Sequence, residues 1–144
     1  MTVYLGIFSG FCLLALTVRR HGETLMLAAL CLFLLLFMGT RYETGCDFSG
    51  YLNRFEALPP GVALSEAFGG DEFGFQLILT AVRSLDGSYM WVNVIATAIL
   101  LTNVFLFIRK RHQPVMILAV FFPILLIQLG MSGLRQGIAV SFLL

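Results

Sequence analysis

Charge falls in clusters along this chain, and long uncharged runs separate the clusters. Residues 2–18 hold no charged side chain, and neither do residues 24–40; Arg19, Arg20, His21 and Glu23 stand between them. Residues 41–86 carry most of the charge. Residues 87–108 are again uncharged, Arg109, Lys110, Arg111 and His112 interrupt, and 113–134 are uncharged. A further apolar run begins at 136–144. A bilayer core takes about 20 apolar residues as helix, within a range of about 17–25. The runs at 87–108 and 113–134 meet that length, and the first two sit at its short limit. Lipid offers the backbone no water, so each span must satisfy its own N–H and C=O groups as a helix. The pattern predicts an all-α, polytopic transmembrane helix bundle. Its spans fall at about 2–18, 24–40, 88–108 and 113–132, with the start of a fifth at 136–144. A cleaved signal peptide would carry its basic residues ahead of the first apolar run. Here Arg19 and Arg20 follow it, which favours a retained span.

Arginine and lysine in short loops set orientation. The 19–23 and 109–112 loops are basic and lie on one side, the cytoplasm. The N-terminus and the 41–87 segment then lie outside, where Arg41, Arg54 and Arg83 are outnumbered by Glu43, Asp47, Glu56, Glu66, Asp71, Glu72 and Asp86. Tyr42, Tyr89 and Trp91 fall at the outer boundary, which suits amphipathic rings.

Two helices are predicted in that outer segment. In 47–58, Phe48, Tyr51, Leu52 and Phe55 form an apolar stripe at helical spacing, and Pro59-Pro60 ends it. Asp47, Tyr51 and Arg54 share one edge of this helix. The second covers 71–85, after Gly69-Gly70, with Asp71 as N-cap and Glu72 in the first turn. It is too short to span and is expected to lie along the membrane–water boundary.

Composition narrows the function classes. The chain of 144 residues is 59% hydrophobic and 12% charged, with a mean hydropathy of +0.94. Soluble domains average about 45–50% and about 25%. An ordinary soluble enzyme and a disordered chain are excluded. A net charge of +1 gives no field for a polyanion, so no nucleic acid is expected. Cys12, Cys31 and Cys46 are too scattered for a disulfide framework or a zinc site, so no metal is expected.

No ionisable group interrupts the middle of the four spans, which argues against a proton relay or ion channel. Asn93, Asn103 and Gln128 read as interhelical hydrogen-bonding amides. Pro123 sits mid-span and kinks the helix, either opening a cavity or fitting the packing. Arg135, in GMSGLRQGIA, stands between the fourth run and the last, at the outer end. Two readings stand for it: a cation snorkelling at a helix end, or a planar fork of donors for phosphate oxygens.

The order of several short motifs then becomes informative. Arg41-Tyr42, Gly45-Cys46-Asp47 and Tyr51 follow the second span. Glu72-Phe73-Gly74-Phe75 opens the next helix. Ser132-Gly133-Leu134-Arg135-Gln136, with Ala139, follows the fourth span. The arrangement over 41–144 resembles the EpsG family of bacterial membrane proteins, relatives of the Wzy-type polysaccharide polymerases.

The resemblance implies polymerisation of polyprenyl-pyrophosphate-linked oligosaccharide repeat units at the outer face of the inner membrane, for an extracellular polysaccharide or O-antigen-like product. It implies no cofactor, since such polymerases look metal-independent. Positive side chains would then stabilise the leaving pyrophosphate, and a carboxylate would serve the acceptor hydroxyl as base. Carried over by position, Arg135, with Gln136 beside it, is the first phosphate contact and Arg41 the second. Asp47 and Glu72 are the sugar-binding or base candidates, and Tyr51 stacks on a sugar or packs. The other reading of Arg41, Asp47 and Arg135 is an ion-pair network that pins the outer loop. Other polysaccharide-assembly proteins are expected partners, beside the lipid bilayer. Family members are longer, with more spans, so the chain is expected to be the N-terminal part of a larger protein. The competing classes are a transporter or flippase fragment, which would show internal repeats and midplane polar groups, and a non-catalytic subunit of a polysaccharide assembly complex.

Overall fold

The computed structural model describes residues 2–17, 22–42, 47–64, 73–124, 127–128 and 133–143. Among the described residues the fold is all-helical. Its helices are α1 (Thr2–Thr17), α2 (Glu23–Gly39), α3 (Phe48–Glu56), α4 (Phe73–Ser84), α5 (Tyr89–Ile108), α6 (Pro114–Phe121) and α7 (Leu134–Ser141). α5 is the hub. α2, α4 and α7 all pack on it, α1 packs on α6, and α3 packs on α4.

Two cores result. The first joins α1, α2, α6 and the C-terminal half of α5 through Phe11, Leu27, Leu34, Met38, Val104, Ile108, Leu118 and Phe122. Phe11 and Phe122 meet with ring centroids 5.2 Å apart. The second joins α3, α4 and the N-terminal half of α5 through Tyr51, Phe55, Phe75, Leu79, Val82, Tyr89 and Val92. Gly39 lets α2 close on α5, since a Cβ there would lie 3.2 Å from the Val94 Cα.

The outer faces of the first core's helices remain apolar. Leu13 and Leu16 of α1 and Leu25, Leu32 and Leu36 of α2 are all exposed. A helix apolar all round is built for surroundings other than water. Among the described residues, α5 is the one helix long and apolar enough to cross a membrane. At 1.5 Å per residue it measures about 30 Å. α1, α2 and Pro114–Ile124 are apolar but shorter.

Two differences from expectation follow from the last two apolar runs. The run expected to span 113–132 forms α6 and then switches to π-helical turns at 122–124. Pro123 lacks an N–H and its ring crowds the carbonyl of Ala119, so the ladder shifts to wider turns. The last apolar run turns helical at Leu134, which puts Arg135 inside the first turn of α7 instead of between two runs. Asp47 takes the N-cap position of α3 without capping it through its side chain; its carboxylate faces Tyr51 instead. The expected N-cap Asp71 lies outside the described residues.

α4 ends in a motif that turns the chain into α5. The Asp86 N–H donates to the Arg83 carbonyl at 3.1 Å, and the Gly87 N–H to the Val82 carbonyl at 2.9 Å. Asp86 has φ +51°, the left-handed conformation this cap demands.

Candidate functional site

α3 is amphipathic, and its stripe decides which way the polar edge faces. Tyr51 and Phe55 are buried against α4 and α5. The Tyr51 ring lies 5.0 Å from that of Phe75, and the Phe55 ring 5.8 Å from that of Tyr89. Arg83 of α4 clamps the pair of helices: its Nε donates to the Leu58 carbonyl at 2.9 Å, and its Cζ sits 5.2 Å from the Phe55 ring centroid. With the stripe inward, Asp47 and Arg54 are left exposed along the edge that contains Tyr51.

α7 reaches the same cluster through Ile138, which packs against it. Three residues earlier on the helix, Arg135 shares that side. Its Nε donates to the Tyr51 hydroxyl at 3.2 Å, and its Cζ lies 5.4 Å from the Tyr51 ring centroid. The Tyr51 hydroxyl in turn points to the Asp47 carboxylate, with 3.5 Å between the oxygens. Tyr51 therefore links a carboxylate on one helix to a guanidinium on another. Its own ring is buried, which fixes the position of the hydroxyl between the two groups.

Arg135 forms part of the wall between two hollows. On one side is a polar recess of about 320 Å³, lined by Asp47, Ser49, Gly50, Tyr51, Arg54 and Arg135. On the other is a largely apolar groove of about 670 Å³ between α4 and α7, where Phe73, Phe75, Ile138 and Phe142 join Arg135 and Gln136. Among the described residues the recess holds two guanidiniums and one carboxylate, a lining that suits an anion. The groove offers hydrocarbon contact. An amphiphile with a charged head and an apolar body fits this pairing.

Arg41 is placed differently. It is 9% exposed and stands outside the linings of both hollows. Burial pushes its pKa below the ordinary arginine value, and the neighbouring Tyr89, Tyr4 and Tyr51 oppose that shift. Arginine stays protonated even so. The Arg41 carbonyl accepts from Asn93 Nδ2 at 3.4 Å, which ties the end of α2 to α5. Asn103 donates to the Ser141 hydroxyl at 3.0 Å, which ties α7 to α5. Both amides join helices in the way their position in apolar runs suggests.

Of the sequence-derived candidates, the structure brings Asp47, Tyr51 and Arg135 together, with Gln136 in the adjoining groove. Gln136 folds back beside Gly133, where a Cβ would come 3.1 Å from its Oε1. Glu72 lies outside the described residues. Arg54 and Ser49 in the recess, and Ile138 and Phe142 in the groove, were not singled out as site residues. A usable signal existed for two of them: Ile138 and Phe142 stand at i+3 and i+7 from Arg135 and share its helix face.

No match is found among curated proteins or among solved structures. A family model described as EpsG family matches residues 24–144. The match runs from α2 through α7 and takes in every residue of the recess and the groove. It carries with it membrane residence and a role in polysaccharide biosynthesis. From its motifs and from this match, the chain belongs to the EpsG family.

Proposed function

We propose that this chain polymerises polyprenyl-pyrophosphate-linked repeat units at the outer face of the bacterial inner membrane. It does so within a multi-pass bundle whose N-terminus lies outside. The observation that carries this reading is the position of Arg135 between a polar recess and an apolar groove. That placement suits a lipid-linked pyrophosphate, with the sugar on the polar side and the lipid on the apolar side. α5 supports the orientation, since the site gathers at its Tyr89 end and the basic Arg109–Arg111 follow its other end.

In the reaction, an acceptor hydroxyl oxygen bonds to the anomeric carbon of the growing chain. The bond from that carbon to the pyrophosphate oxygen breaks, and its electron pair leaves with the pyrophosphate. Arg135 receives the growing charge, and Gln136 donates beside it. Arg41 adds a fixed positive charge from its buried place and acts through the field. Asp47 takes the hydroxyl proton, its distance from Arg135 held by Tyr51. Glu72, just ahead of α4, is the second carboxylate and binds the sugar. Tyr51 serves by packing and by its hydroxyl, since its ring is buried.

The test is Arg135→Lys in cells that make the polymer, at matched membrane protein level. Losing the planar fork while keeping the charge is expected to lower polymer about 100-fold, the scale for removing one transition-state donor. Full polymer yield would remove Arg135 from the site and favour a non-catalytic subunit.

A further inference from the structure

The far end of α5, away from Arg135, carries a second pattern of charge and apolar surface. Tyr4 of α1 meets Phe37 of α2 edge-on, with ring centroids 6.0 Å apart, and Gly39 of α2 closes on Val94 of α5. The start of α1, the end of α2 and the N-terminal half of α5 therefore share one end of the bundle. The end of α1, the start of α2 and the end of α5 share the other. In sequence that second end holds Arg19, Arg20, Arg109, Lys110 and Arg111, with Glu23 as the one carboxylate. Arg19 and Arg20 lie outside the described residues. Arg109, Lys110 and Arg111 are exposed, and the turn that carries them is held by hydrogen bonds. The Arg109 N–H donates to the Phe105 carbonyl at 2.9 Å, the Arg111 N–H to the Ile108 carbonyl at 2.9 Å, and the Met116 N–H to the Gln113 carbonyl at 3.1 Å.

The first of these bonds keeps Arg109 in the register of α5. Ala98, Thr102, Phe105 and Arg109 then follow i, i+4, i+7 and i+11 and share one face. The first three line an apolar cleft of about 290 Å³ between α5 and α2, opposite Ala28 and Cys31. Leu32, also in its lining, is exposed, so the cleft opens sideways onto the surroundings of the bundle. Arg109 is the next residue on that face, about 6 Å beyond Phe105 along the axis. Arg111 leans the other way. Its Cζ sits 5.0 Å from the Phe107 ring centroid, and Phe107 stacks on Phe121 beside α6. The turn therefore divides its arginines, one at the end of the α2–α5 cleft and one on the α6 side. The length of α5, about 30 Å, matches the hydrocarbon thickness of a bilayer, which puts Arg109 at the level of the lipid headgroups.

We propose that this cleft binds an anionic membrane phospholipid as a structural ligand. The headgroup phosphate pairs with Arg109, with Lys110 beside it, and one acyl chain lies between α2 and α5. Charge complementarity at the headgroup level selects a lipid over another apolar helix, which would bring no anion to Arg109. The proposal is independent of the reading of Arg135, which belongs to the opposite end of α5. A lipid in this place touches both helices of the closest pairing in the first core, so it stabilises the folded bundle by mass action. Diffuse attraction between basic loops and an anionic surface needs no cleft and treats Arg109 and Arg111 alike. A site at the end of the cleft does not.

The experiment uses the full chain in detergent micelles, with phosphatidylglycerol and phosphatidylcholine of identical acyl chains as probes. Bound lipid is counted by native mass spectrometry, and the melting temperature is followed as each lipid is added. Phosphatidylglycerol is expected to bind at least about fivefold more tightly, the scale for one cation near an anionic surface, and to raise the melting temperature. Arg109→Gln is expected to remove that preference, and Arg111→Gln to keep most of it. Both side chains are exposed, so the melting temperature without lipid should not change. A phosphatidylglycerol with a diazirine in its acyl chain is expected to label peptides that contain Cys31 or Phe105. Ala28 is exposed, and Ala28→Trp fills the cleft; it is expected to abolish that label and weaken binding of the lipid. Equal affinity for the two lipids would overturn the site. So would equal losses from Arg109→Gln and Arg111→Gln, an Ala28→Trp chain that binds and labels unchanged, or a label spread evenly over the exposed faces of α1 and α2.

Discussion

The two cores meet on one helix and are built by different rules. Around the C-terminal half of α5, the buried side chains are aliphatic or phenylalanine, and the helices that supply them are apolar on every face. Around the N-terminal half, the core sets aromatic rings among aliphatic side chains, its helices α3 and α4 each have a polar face, and arginines lie against its rings. The first core is held by close packing, since hydrocarbon outside competes with hydrocarbon inside. The second is a small hydrophobic core beside charged side chains, where removing apolar area from water contributes about 25 cal/mol per Å². Rigid packing in the first gives the second a fixed base, and the proposed site lies beside the second.

The largest expected effect breaks the first core. Leu34 is fully buried among apolar side chains. Leu34→Asp places an unpaired carboxyl there and is expected to cost about 3 kcal/mol or more. The measure is the yield of folded, monodisperse protein in detergent, which should collapse. Next is the contact of α2 with α5. Gly39→Ala puts a methyl 3.2 Å from the Val94 Cα, and the helices must separate. A loss of about 1–2 kcal/mol is expected, read as a lower melting temperature.

The second core breaks more gently. Arg83→Ala removes the hydrogen bond to Leu58 and the contact over Phe55. A cost of about 1–2 kcal/mol is expected, confined to α3 and α4. Hydrogen exchange should speed there and stay unchanged in α2 and in the C-terminal half of α5. The smallest effect is a gain. Asp86→Gly relieves the positive φ and removes a carboxylate at the end of α4. About 0.5–1 kcal/mol of stabilisation is expected, seen as slower exchange in the last turn of α4.

The same contrast explains what could be read from the sequence. Helices of the second core announce their buried face, because Tyr51 and Phe55 alternate with Asn53, Arg54 and Glu56. In α2, buried Leu27, Leu30 and Leu34 cannot be told from exposed Leu25, Leu32 and Leu36, since every face is leucine. The sequence therefore shows that α2 exists but not its rotation. Arg135 stood out as a lone cation beside apolar runs, and Asp47 and Tyr51 as neighbours on a helix edge. Their meeting across α3 and α7 depends on tertiary packing through Ile138, and no local pattern contains it. The switch to π-helical turns at Phe122–Ile124 was half visible, since Pro123 announces a defect but not its form.

The central claim is that Arg135 holds a phosphate group at the junction of recess and groove. Phosphorus NMR of a polyprenyl pyrophosphate titrated with the protein in nanodiscs tests it most directly. The unaltered chain is expected to shift and broaden the pyrophosphate signals to saturation. Arg135→Gln, with an unchanged melting temperature, is expected to weaken that binding at least about tenfold, equivalent to about 1.4 kcal/mol. Equal titration curves for the two proteins would contradict the account.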